Sequence, residues 1–220
     1  MRKIKITPNE YYHVFNRGNN KQDIFLDERD WARFLFLLLY MQSPVTLFNI
    51  CSIITNFIKH RVFNSSQKIK DKIIENRMVE LIAFVLMPNH FHIIIKEMKE
   101  GGISRYMQRV LNAYTKYFNI KYKKTGHLFQ GPFKIVHIED NKQLLHLSAY
   151  IHRNPREIKR WKNKEYEFSW SSFQDYLKEN RWGDLLAHQI ILEQFSNTKE
   201  YREFVDTSGT KILEEDHLNY

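Results

Sequence analysis

The sequence predicts an α+β fold of the ferredoxin-like (RRM-like) kind, an antiparallel sheet with helices on one face, followed by a C-terminal helical extension. Three observations predict it. Hydrophobic periodicity and turn residues give the element order strand, helix, strand, strand, helix, strand. The two middle strands meet across a Met87-Pro88-Asn89 turn and read as an antiparallel hairpin. The length, 220 residues, suits one well-packed domain with an addition.

The first strand is 11–17, Tyr-Tyr-His-Val-Phe-Asn-Arg, aromatic and β-branched, and Gly18-Asn19-Asn20 ends it. A helix over 27–41 follows, with Asp27 as N-cap and Trp31, Phe34, Leu35, Leu38 and Leu39 at helical spacing; Ser43-Pro44 stops it. Apolar residues around Cys51 and a Lys-rich stretch through Asn64-Ser65-Ser66 suggest helical pieces around a loop, an insertion at about 44–77 that carries no chemistry. Strands are expected over 79–86 and 90–95, and Gly101-Gly102 breaks the chain after them. The clearest helix comes next. Ile103, Met107, Val110, Leu111, Tyr114 and Phe118 form its apolar stripe, and Arg105, Arg109, Asn112 and Lys116 share another face. Residues 126–138 offer the fourth strand, with Gly131-Pro132 marking a bulge or an edge. Asp140 caps a helix over 141–153 that Asn154-Pro155 terminates. The domain is expected to span 1–182, with short helices over 183–220.

Charge narrows the function. Lys and Arg number 34 against 25 Asp and Glu, for a formal +9, while 43% hydrophobic content excludes a disordered basic tail. Between Gly101 and Ile138 there is no carboxylate, but seven cations: Arg105, Arg109, Lys116, Lys121, Lys123, Lys124 and Lys134. The stretch 193–220 has the opposite sign, with seven acidic residues against three basic ones. A basic centre with an acidic tail suits nucleic acid as partner, or else is an idle basic surface. The single cysteine excludes a disulfide framework and any cysteine-cluster metal site. No apolar run is long enough to span a bilayer, and the basic N-terminus lacks a following apolar segment, so a cytoplasmic protein is expected.

His90 and His92 stand two apart on a strand and share a face, where two imidazoles can grip one divalent cation; ordinary surface histidines are the plain alternative. The hydrolytic metallo-lactamase pattern is absent, since Ile94, Ile95 and Lys96 follow. A phosphodiesterase with paired His-x-Ser/Thr motifs is a poor fit, because His146-Leu147-Ser148 lies on a helix. No phosphate-binding loop, nucleophile elbow or zinc-finger spacing occurs. On the helix over 141–153, Leu144, Leu147 and Ile151 form the buried stripe. Tyr150 flanks it, with Asn154 one turn on along the same flank. Tyr150 can present its hydroxyl to a site there, or pack with a wet hydroxyl; Tyr114 and Tyr117 read as core or rim residues.

Met87-Pro88-Asn89-His90-Phe91-His92 resembles the metal-binding HUH motif (histidine, hydrophobic, histidine) of IS200-like single-tyrosine transposases, and most closely that of the REP-associated tyrosine transposases. Further matching segments are 12–19, 114–119, 126–131, 150–155, 170–173 and 201–205, so the resemblance covers about 10–42 and 78–205. One departure is clear: after Asn154-Pro155 the family continues with Val and then Arg-Ala-Gly, whereas Arg156-Glu157-Ile158-Lys159 stands here.

The resemblance implies an enzyme that cleaves and rejoins single-stranded or hairpin DNA through a 5′-phosphotyrosine. In it Tyr150 is the nucleophile, and His90, His92 and Asn154 hold Mg²⁺ or Mn²⁺. Nitrogen ligands favour Mn²⁺. Arg105, Arg109, Lys116, Lys121, Lys123, Lys124 and Arg153 would hold the DNA backbone. The protein would act as a monomer or homodimer. The rival readings are a non-cleaving nucleic-acid-binding module on the same fold, and a regulator that binds hairpin DNA.

Overall fold

A computed structural model describes residues 4–208. Four strands, β1 (Tyr11–Arg17), β2 (Val79–Met87), β3 (His90–Glu97) and β4 (Lys134–His137), form an antiparallel sheet in the order β2-β3-β1-β4. That is the expected ferredoxin-like topology. β4 is much shorter than the strand expected over 126–138. Pro132 has no N–H for the ladder, and Gly126 and Gly131 take positive φ (83° and 71°), so 126–133 runs as a looped segment before pairing begins.

Helix α1 (Glu28–Tyr40) starts at Asp27, whose side chain accepts from the Asp30 amide while Asp30 reaches back, a reciprocal cap. Helices α2 (Ile50–His60) and α3 (Gln67–Glu75) fill the stretch read as an insertion, and α4 (Gly102–Tyr122) follows the hairpin. The first turn of α4 is held by buried Glu97, which accepts from the amides of Gly102 (3.0 Å) and Ile103 (2.6 Å). Only glycine fits at 102, since a Cβ there would stand 2.3 Å from the Met78 carbonyl oxygen. One core joins α1 and α4 to Val14, Phe84, Leu86, Phe91, Ile93 and Ile95 of the sheet. Phe57 and Phe63 enter it as a stacked pair 4.2 Å apart, so the 44–77 stretch is built into this core.

The opposite face, which the sequence reading left bare, carries helix α5 (Asn141–Arg153). There Leu144, Leu147 and Ile151 meet Ile82, Ala83, Val85 and Ile94. Helices therefore lie on both faces, a correction to the one-faced arrangement. The short helices α6 (Phe173–Leu177) and α7 (Gln189–Leu192) precede α8 (Thr198–Thr207), which packs on α5 through Tyr201 and Val205. Trp182, Leu185 and Leu186 reach into the first core. The acidic Glu214, Glu215 and Asp216 lie outside the described residues. No helix among the described residues is long and apolar enough to cross a membrane.

Two buried polar clusters hold these layers. Asp30 is fully buried and takes bonds from the Leu26 amide (2.9 Å), Tyr117 (2.9 Å), Lys121 (2.6 Å) and Tyr122 (2.6 Å), tying α1 to α4. Asp30→Ala removes the shared acceptor of two phenols and an amide, while Lys121, partly exposed, keeps Asp27, so unfolding free energy should fall by about 2–3 kcal/mol in a denaturant titration. A loss under about 1 kcal/mol would refute this account. The second cluster is His152 between the Tyr201 hydroxyl (2.7 Å) and that of Ser172 (2.8 Å). Burial pushes its pKa from 6.5 to about 3. The unfolded chain thus binds a proton that the folded chain refuses across that interval, and stability present above pH 6.5 is lost as pH falls toward 3. Between pH 6.5 and 4.5 this group costs roughly 2–3 kcal/mol. His152→Gln should therefore show a shallower decline of melting temperature over that range than the native chain; parallel slopes would rule the assignment out.

Candidate active site

Strand alternation decides what the sheet shows on its α5 side. Phe91, Ile93 and Ile95 point into the first core, so His90 and His92 point the other way. β1 lies beside β3, with Phe15 opposite His92 and Arg17 opposite His90. His13 and Phe15 therefore share the face with the two histidines. The His13 ring stacks on His92 (5.1 Å) and on Phe15 (4.8 Å), and its Nε2 is 2.9 Å from His92 Nδ1.

Helix α5 brings the remaining groups. The Tyr150 ring stands edge-on to His92, centroids 5.4 Å apart, and 6.5 Å from His13. One turn on, Asn154 Oδ1 lies 3.2 Å from His90 Nε2. Four residues separated by up to 64 positions, His90, His92, Tyr150 and Asn154, are thus brought together at one end of the sheet.

The hydrogen bonds set the state of these rings. Asn89 Nδ2 donates to the Lys21 carbonyl (3.1 Å), which turns its Oδ1 to His90 Nδ1 at 2.7 Å. His90 Nδ1 must therefore carry the proton. Burial, and then the positive charge of Arg17, hold its pKa down at about 4 although the Asn154 contact opposes the shift, so the ring is neutral at pH 7. A neutral ring that donates through Nδ1 keeps a lone pair on Nε2, and that lone pair faces the amide oxygen of Asn154. His92 is likewise held neutral by burial, with His13, His90 and Arg17 adding to the shift.

Two acceptors converging at 3.2 Å fit a cation, because ligands at right angles around an ion with bonds of about 2.1 Å stand about 3 Å apart. His92 can join them through Nε2 when its Nδ1–H is donated to His13, the arrangement that fixes the tautomer of many ligating histidines. The donor set is two imidazoles and an amide. Among the described residues no cluster of three or more His, Cys, Asp or Glu suited to a metal exists.

The expected DNA-contacting cations divide. Arg105, Lys116, Lys123 and Lys124 are exposed. Arg109 is instead committed to backbone, donating to the carbonyls of Met41 (3.3 Å), Ser43 and Val45 (3.3 Å). Lys121 is bound to Asp27 and Asp30, and Arg153 donates to the Ser208 carbonyl. Each satisfies an oxygen of the fold, so these three are corrected from phosphate contacts to structural ties. All the α4 cations, moreover, lie across the sheet from the histidines, because α4 covers the first core.

His13, Arg17 and Asn89 are site residues that sequence reasoning missed. The signal for His13 was its alternation with inward Tyr12 and Val14, which places it on the outer face of β1. Knowing which strand lay beside β3 was the missing step.

Residues 49–154 match the family model described as "Transposase IS200 like". The match runs through α2 and α3 and ends on Asn154. A similar solved structure is that of a REP-associated tyrosine transposase bound to a REP hairpin. It has 16% identity and a TM-score of 0.51, over 85% of this chain and 90% of that one. At that identity the likeness carries the fold. No curated protein matches the chain. The family model bears out the resemblance seen in the sequence over residues 49–154, and the solved structure bears out the expected fold.

Proposed function

We propose, on the premise that residues 49–154 are IS200-like transposase sequence, that the protein cleaves and rejoins single-stranded or hairpin DNA using Tyr150 as nucleophile. The observation that carries this reading is the convergence of Tyr150, His92, His90 and Asn154 on one sheet face. In the reaction the Tyr150 oxygen bonds to the scissile phosphorus and loses its proton. The bond from phosphorus to the 3′ oxygen breaks, and that oxygen leaves as a 3′-hydroxyl. The 5′-phosphotyrosine keeps the energy of the phosphodiester, so a second 3′-hydroxyl can reverse the step without ATP.

Mg²⁺ or Mn²⁺ held by His90, His92 and Asn154 would supply Lewis acidity at the scissile phosphate. The chain's own groups prepare the place. Asn89 fixes the His90 tautomer, and His13 orients His92. Arg17, whose charge reaches both rings, attracts the phosphate. Helix α5 sets the angle of the Tyr150 ring to His92 at 89°. A labelled hairpin oligonucleotide incubated with the protein and Mn²⁺ should give a protein–DNA adduct that survives a denaturing gel. Hairpin binding with no adduct would favour the non-cleaving module.

A further inference from the structure

A cavity of about 800 Å³ opens between the outer face of α4 and the 127–133 loop. We propose that it holds an unpaired nucleotide of the DNA strand being cleaved, an assignment that rests on the reading above for the choice of polymer. Its size falls in the range of roughly 300–1,000 Å³ typical of small-ligand sites.

The lining matches a nucleotide group by group. Leu111 and Pro132, with the exposed edges of the otherwise buried Phe129 and Phe133, give an apolar wall against which a base can lie. Gln108 and Asn112, both exposed, bring amides that can pair with a base edge. Lys116 stands among them as a partner for phosphate. No carboxylate occurs from 101 to 138, so nothing on either wall repels an anion.

The cavity also has a route to the histidines. Phe133 lines it, and the next residue, Lys134, opens β4. Lys134 Nζ lies 6.0 Å from the Phe15 ring, and Phe15 stacks on His92 at 5.5 Å. The loop is bonded to β1 at the same end, since Gln130 N–H donates to the Arg17 carbonyl (2.8 Å) and Asn16 to that of Gly131 (3.3 Å). β4 is a four-residue edge strand, so a DNA strand leaving the cavity has only this short edge to round before it meets Arg17 and His90. The cations of α4, remote from the histidines, thereby gain a purpose along the same path.

The test uses oligothymidine carrying one 5-iododeoxyuridine, with the full chain. Irradiation should cross-link the probe to the segment 127–133. Gln108→Ala with Asn112→Ala should weaken binding by about tenfold, with circular dichroism unchanged. Cross-links confined to other segments, undiminished affinity in the double variant, or a preference for oligouridine at this segment would each overturn the proposal. The underlying reading fails separately: Tyr150 adducts that persist while the cross-link misses this segment sink the cavity alone. A cross-link there without any Tyr150 adduct supports the cavity and removes the nuclease.

Discussion

Tyr150→Phe should abolish covalent attachment of DNA while leaving DNA affinity within about twofold of the native chain. The change deletes one oxygen from a ring whose packing against His92 and His13 is otherwise kept. Neither Tyr114 nor Tyr117 of α4 can replace it. Tyr114 is fully buried with its hydroxyl on the Ile24 carbonyl, and burial raises its pKa well above 10. Tyr117 donates to Asp30 on the far side of the sheet. Removing a nucleophile outright costs rate factors of about 10⁴ or more, because no weaker form of the same step remains. The adduct band on a denaturing gel is the measurement, and peptide mapping of the native adduct identifies the residue. A variant that still forms the adduct at the native rate would remove Tyr150 from the reaction. Loss of both adduct and binding would leave its role structural.

How far this site could be read in advance follows the range of the interactions involved. Within α5, Asp140 caps the helix, Leu144, Leu147 and Ile151 set its buried stripe, and the positions of Tyr150 and Asn154 relative to that stripe are fixed by helical periodicity alone. Within β3, alternation is enough to send His90 and His92 to one face. Both are local consequences of chain geometry. What periodicity does not encode is which layers touch. Placing α5 over β3 required burial of Ile94 and Val85 against Leu147, a contact between distant segments. The same holds for His13, which joins His92 only because β1 pairs with β3 in one register. Charge was the most misleading signal. Lys121 looks like any lysine in a basic run, yet it lies beside Asp30, placed 91 residues earlier, and its charge is used to neutralise a buried carboxylate.

His90→Ala together with His92→Ala should lower metal-supported cleavage by about 10³-fold or more while hairpin binding persists, since the cations of α4 are untouched. The reason lies in the charge of the site. Two neutral imidazoles and an amide bring no negative charge to a divalent cation, and Arg17 adds a positive one nearby. Such a set holds the ion weakly by itself and firmly once a phosphate supplies the missing anion. Mn²⁺ should therefore bind the free protein weakly, and more tightly with a non-cleavable DNA analogue present, as read by the loss of free Mn²⁺ signal in electron paramagnetic resonance. The double alanine variant should lose that DNA-dependent gain. His13→Ala, which removes only the group orienting His92, should weaken Mn²⁺ uptake by about 10–100-fold and leave Tyr150 in place. Equal cleavage by native and double-variant proteins, or cleavage that survives excess chelator, would mean that the histidines serve the fold and that Tyr150 is activated without an ion. Tight Mn²⁺ binding in the absence of DNA would show that ligands beyond these three complete the site.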